Sequence, residues 1–206
     1  MTSPRIKLHK GDLPGGLSFG SSVAIDTETL GLRPYRDRLC LVQLSAGNNE
    51  AHLVQLDGKD WSAPNLKALL ADPAVLKIFH YGRFDIGVLK HWLGVDTTPV
   101  WCTKIASKLA RTYTDRHGLK DLCSELIGVE LSKQQQSSDW ASAELSQQQL
   151  AYAASDVLYL HAIKARLEAM LVRSGRLEMA EAAFGYLARR VELDLAGFED
   201  MDVFAH

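Results

Sequence analysis

No run of about 18 apolar residues occurs in the chain, so no membrane-spanning helix is expected. The opening segment MTSPRIKLHKGDLPGG lacks an apolar stretch long enough for a signal peptide, and a cytoplasmic location is expected. Cysteine is scarce. Cys40, Cys102 and Cys123 are odd in number and far apart, with neither zinc spacing nor the look of a disulfide framework, and read as buried reduced thiols. His91, His117 and His161 share no metal-like spacing, which argues against a zinc site. No glycine-rich phosphate cradle is present; Gly31 and Gly82 read as turn residues. Charge of either sign is not in excess: 23 Lys and Arg stand against 25 Asp and Glu. A basic coat for long nucleic acid is therefore excluded, and a nucleic-acid ligand would sit in a local pocket. No repeat or long linker interrupts the 206 residues, so residues 1–206 are expected to form a single domain with a sizeable core.

Strand-like runs come first: Ser22–Ile25, then Leu39–Leu44 and His52–Leu56 as an antiparallel meander, then Val75–Phe79. A short helix Leu66–Leu70, with Asn65 as its cap, ends at Asp72-Pro73. Further helices are expected over Phe84–Trp92, Thr103–Leu109, Leu119–Ile127 and Glu178–Leu187. Leu145 to about Leu171 reads as one long helix that a break could divide. Strands followed by alternating strands and helices imply an α/β domain with a mixed sheet.

What stands out is acid placed beside apolar runs. Asp26 and Glu28 follow Val23-Ala24-Ile25, and a period of two puts both on one strand face. Asp85 lies near the start of a helix. Tyr152 and Asp156 are four apart on one helix face. Carboxylates rarely occupy such places without a cationic partner. A pair of divalent metals would serve, and such a site cuts phosphodiesters.

The segments AIDTETLGL, HYGRFDIGVL and SSDWASAELSQQQLAYAASDVLYL together resemble the RNase D-type branch of the DEDD 3′–5′ exonucleases. That resemblance runs from about Ile6 to about Leu171 and implies an RNase H-like (DnaQ-like exonuclease) fold. It implies that Asp26, Glu28, Asp85 and Asp156 hold two Mg²⁺ or Mn²⁺ ions, and that Tyr152 orients the attacking water. A phenol of ordinary pKa, about 10, makes a poor base for that water. DTETLGLRPYRDRLCLVQL, CTKIASKLARTYTDRHGLKDLC and LSKQQQSSDW are more closely similar to the nanoRNase C family, short alphaproteobacterial-type exoribonucleases. This likeness implies very short RNA as substrate, diribonucleotides above all, and a ring-shaped homo-oligomer, an octamer. Longer RNA or DNA remains a second reading, and a catalytically silent nucleic-acid-binding module a third. No counterpart of the helical domains that follow the catalytic domain in RNase D is expected, which makes processing of structured tRNA ends the lesser expectation.

Several residues are candidates for gripping a short substrate. Leu32 either wedges between two bases or packs on the core as a loop leucine. His80 and Tyr81 closely precede Asp85 as candidates to line the cleft, with His80 alternatively sitting behind it, and Trp140 reads first as a packing residue. Lys104, Lys108 and Arg111 fall at helical spacing and form a basic stripe. Arg111, Arg116, Lys133, Gln136, Ser137 and Ser138 are candidates for contacting a terminal phosphate. The apolar residues Phe198, Met201, Val203 and Phe204, beyond about residue 172, either pack on their own domain or contact another subunit.

Overall fold

The computed structural model describes residues 3–132, 135 and 138–205. Among them, six strands form one sheet in the order β1-β4-β3-β2-β5-β6. The strands are β1 Arg5–Lys10, β2 Ser22–Thr29, β3 Leu39–Ser45, β4 Glu50–Gln55, β5 Leu76–Phe79 and β6 Val100–Cys102. β2, β3 and β4 make the antiparallel meander. β1 joins β4, β5 joins β2 and β6 joins β5 in parallel. The helices are α1 Pro64–Ala71, α2 Gly82–Leu93, α3 Thr103–Ala110, α4 Leu119–Leu122, α5 Gln147–Leu158, α6 Leu160–Arg173 and α7 Leu177–Leu193. α4 runs on into a π-helical turn, Cys123–Ile127, and α7 into another, Asp194–Phe198.

Every residue of β3 and β4 is buried, which is the mark of strands covered on both faces. α5 lies across β2, β3 and β4, while α2 packs on β2, β3 and β5. The three cysteines are buried and free. Among the described residues no helix is long and apolar enough to cross a membrane.

The structure extends and corrects the sequence reading at several points. β2 runs past Ile25 to Thr29, so Asp26 and Glu28 lie inside the strand. β1 and β6 were not expected. β1 is a mostly exposed edge strand in which only two apolar residues, Ile6 and Leu8, alternate with charged ones, and β6 has only three residues. Asn65 does not cap α1. The carboxylate of Asp12 does so from a distance, accepting the Asn65 and Leu66 N–H groups at 2.9 Å each. The expected long helix is two. Ser146 and Gln149 close a capping box at the start of α5, and a single turn residue, Tyr159, itself in the right-handed region at φ −105°, separates α5 from α6.

Candidate active site

Three elements bring the acidic residues together. On β2, Asp26 and Glu28 share one face, and Asp26 stands opposite Gln43 of β3 in the antiparallel register. Gln43 Nε2 donates to Asp26 Oδ2 at 3.3 Å. On α5, Tyr152 and Asp156 lie one turn apart. One carboxylate oxygen from each of Asp26, Glu28 and Asp156 falls within 4.8 Å of the others.

Asp85 sits apart from that triplet. It lies in the first turn of α2, 3% exposed, and accepts the hydroxyl of Thr27 at 2.7 Å. The backbone N–H of Thr27 bonds to it as well, so Asp85 meets β2 at Thr27, between Asp26 and Glu28 in the chain, and its charge acts on both. The start of α2 is tightly seated. A Cβ on Gly82 would stand 2.7 Å from Cβ of Phe79, so only glycine lets the helix begin so close to the end of β5.

The electrostatics are those of crowded, buried acids. Burial, then the charges of Asp85, Asp156 and Glu28, hold the Asp26 carboxyl well above the usual range. Burial, then Asp156 and Asp85, push Glu28 up to about 9. Burial raises Asp156 to about 7, against the pull of the Tyr152 hydroxyl and with a push from Asp85. Asp85 is also raised to about 7 by burial, although Thr27 and backbone N–H groups draw it down. Burial and the neighbouring acids push the Tyr152 phenol upward, so it keeps its proton and acts as a donor. This donor set fits divalent ions. Three hard oxygens converge, and among the described residues none of them is in a salt bridge.

The acids open into a cavity of about 720 Å³. Leu32 lines it and is 85% exposed, which excludes packing on the core. His80 lines it too. Thr103 donates its hydroxyl to the Phe79 carbonyl at 3.2 Å and accepts from His80 Nδ1 at 2.8 Å, which leaves His80 Nε2 as an acceptor. Burial, then Lys104, pull the His80 pKa down to about 3, so the ring is neutral. Lys104 lies over the Tyr81 ring, 4.1 Å from its centroid, and both residues line the cavity. Trp140 is 2% exposed and packs against Tyr152 with ring centroids 6.1 Å apart.

The basic candidates divide. Arg111 is fully buried and away from the cavity lining, paired with Glu125 and bonded to Ser107 Oγ and the Arg116 carbonyl. It is a structural residue, not a phosphate contact, and the stripe with Lys104 and Lys108 is broken. Arg116 is exposed, outside the lining, and paired with Asp121 at 2.9 Å and Glu125 at 3.4 Å. Ser138 lines the cavity and donates to Gln135 at 2.7 Å. Lys133, Gln136 and Ser137 lie outside the described residues. Sequence reasoning missed Thr27 and Gln43; Tyr81 was expected beside His80 and lines the cavity. A glutamine in the otherwise apolar LCLVQL was a legible signal, whereas nothing marked Thr27 or the positive φ of Tyr81.

The sequence matches the 3′–5′ exonuclease family over residues 14–172. Ribonuclease D of Acidiphilium cryptum is 40% identical over 163 residues, 78% of this chain and 41% of its own length. The chain spans about two fifths of the curated relatives it matches. Among solved structures, Brucella melitensis NrnC bound to pGG superposes with a TM-score of 0.96 at 57% identity, over 99% of this chain and 100% of that one. The same organism's NrnC with bound Mg²⁺ gives a TM-score of 0.94 at 56% identity, over 98% and 99%. The mixed sheet with flanking helices is accordingly the RNase H-like (DnaQ-like exonuclease) fold. The chain belongs to the 3′–5′ exonuclease family, in the short RNase D-like branch that includes Brucella NrnC.

Proposed function

We propose that residues 1–206 act as one 3′–5′ exoribonuclease domain that hydrolyses very short RNA, 5′-phosphorylated diribonucleotides above all, to nucleoside monophosphates. The observation that carries this reading is the convergence of the Asp26, Glu28 and Asp156 oxygens, within 4.8 Å, on a cavity overhung by Leu32. That Brucella NrnC has been solved with pGG and with Mg²⁺ supports the substrate class and the ions.

Asp26, Glu28 and Asp156 would hold two divalent ions, Mg²⁺ or Mn²⁺, with Asp85 completing the set from deeper in the fold. When bound, the ions supply Lewis-acid activation of water and neutralise charge on the leaving 3′ oxygen. Tyr152 holds its proton on the hydroxyl, so it orients the attacking water by hydrogen bonding and does not deprotonate it. Leu32 presents an apolar edge to the bases. His80 offers an acceptor at Nε2 to a ribose hydroxyl. Ser138 is placed in our reading at the 5′ phosphate.

We further read the protein as a cytoplasmic homo-oligomer, a ring of eight in line with the family resemblance. Phe198, Met201, Val203 and Phe204 supply exposed apolar surface for contact between copies. The test of the reaction is cleavage of a 5′-phosphorylated diribonucleotide in Mg²⁺. Cleavage that EDTA stops and Asp26→Asn abolishes supports an enzyme; binding without cleavage would make the chain a silent module.

A further inference from the structure

A segment distant in sequence touches two supports of the site. The turn Asp194–Phe198 and the residues after it lie against the first turn of α2 and the loop after β2. Arg83, two residues before Asp85, donates from Nε and Nη2 to the two oxygens of Asp194 at 2.6 and 2.8 Å. Its Nη2 also donates to the Glu199 carbonyl at 2.7 Å. Arg190 secures the same turn. It donates to the carbonyls of Phe198, Glu199 and Met201 and pairs with Asp194 at 2.9 Å. The carboxylate of Glu199 then takes the guanidinium of Arg33, 166 positions away and next to Leu32.

The loop from Leu30 to Arg38 is bonded within itself. Leu30 N–H donates to the Arg38 carbonyl at 3.1 Å. Asp37 accepts the Arg33 N–H at 2.9 Å and the Arg36 guanidinium at 2.7 and 2.9 Å. Gly31 is closed in, since a Cβ there would stand 2.3 Å from Asp37 Oδ2. Such a loop moves as one piece. Beyond the strands that flank it, three bonds fix its place: Arg38 Nη1 to the Asp57 carbonyl at its far end, Trp92 Nε1 to the Pro34 carbonyl at 2.9 Å, and Arg33, next to Leu32, to Glu199. A lone exposed ion pair would contribute little. Here the acceptor belongs to a segment already held by two arginines, and Asp194 and Arg190 are only 16% and 18% exposed.

We propose that Arg33 and Glu199 are positioning residues: the segment after α7 fixes the loop that carries Leu32 over the cleft, and so sets the grip on a short RNA. This rests on the substrate reading above. It ties substrate affinity, and not the chemical step, to the C-terminal segment.

The test uses the full chain with Arg33→Glu, Glu199→Arg, the exchange Arg33→Glu/Glu199→Arg, and the near-isosteric Glu199→Gln. Kinetics on a 5′-phosphorylated diribonucleotide should show KM raised about three- to tenfold in each reversal, with kcat within about twofold, and KM largely restored in the exchange. Amide hydrogen exchange over residues 30–38 should quicken in the single variants and return in the exchange. Unchanged KM in the reversals, or an exchange variant as impaired as either reversal, overturns the proposal. If the wild type cleaves no short RNA, the substrate reading falls, and hydrogen exchange decides the positioning by itself. Faster exchange in Glu199→Gln than in the wild type upholds it; equal rates overturn it. Glu199→Gln also covers the case in which a reversal does not fold.

Discussion

The hydroxyl of Thr27 on β2 donates to the carboxylate of Asp85 on α2 at 2.7 Å. With the backbone N–H of the same residue, this bond joins strand and helix beside the acidic triplet. Thr27→Val keeps the volume and removes the donor. The variant should lose about 1–3 kcal/mol of stability, because Asp85 keeps its burial without that partner. It should also bind Mn²⁺ more weakly while retaining some turnover. Urea unfolding and Mn²⁺ titration check both; a wild-type urea midpoint and Mn²⁺ affinity would dismiss the link.

The raised acids set a pH dependence for the metal-free protein. Glu28 is held at about 9, and Asp85 and Asp156 at about 7, above the ordinary carboxylate range of the unfolded chain. At neutral pH the folded state therefore binds more protons than the unfolded one. Stability should be fullest near pH 4 and fall as pH rises to about 9. In EDTA, Asp156→Asn should melt about 2–4 °C above the wild type at pH 8, since Asp156, held at about 7, is charged there and the amide removes that repelling charge. In Mg²⁺ the order should reverse, because only the intact site gains the stabilisation of bound ion. Melting curves with and without Mg²⁺ test this. A variant less stable than wild type in EDTA would contradict the repulsion.

Tyr152 carries a proton held by burial and by neighbouring carboxylates. Tyr152→Phe should cut kcat about 100-fold or more with Mn²⁺ affinity nearly unchanged, as general positioning and acid–base roles do. Unaltered rate constants would remove Tyr152 from the reaction.

Arg111 is fully buried and paired with Glu125. Glu125→Ala leaves that charge without its partner and should destabilise the fold by about 3–5 kcal/mol. KM for a short RNA should stay at the wild-type value in the folded fraction. A large rise in KM with full stability would return Arg111 to the substrate.

The sequence marked the meander, α2 and the acidic positions because each depends on local pattern: apolar runs, helical spacing, and charge where charge is out of place. It did not mark β1, whose only apolar residues are Ile6 and Leu8 and which stays mostly exposed, or β6, too short for any period. The misreading of Arg111 has a physical source. Spacing fixes which residues share a helix face but not what packs on that face. Lys104 faces the cavity, whereas Arg111 sits at the end of α3, where the turn after α4 brings Glu125 to it. The Asp12 cap on α1 and the Glu199 bond to Arg33 were invisible for the same reason, since both partners are distant in the chain.

The most direct measurement is a Mg²⁺-dependent time course on 5′-phosphorylated RNAs of two, three, five and twenty nucleotides, with Asp156→Ala as control. Rapid loss of the dimer while longer chains persist, and no cleavage by the variant, is the expected result. Stepwise shortening of every length at similar rates would leave the acidic site in place but contradict selectivity for diribonucleotides.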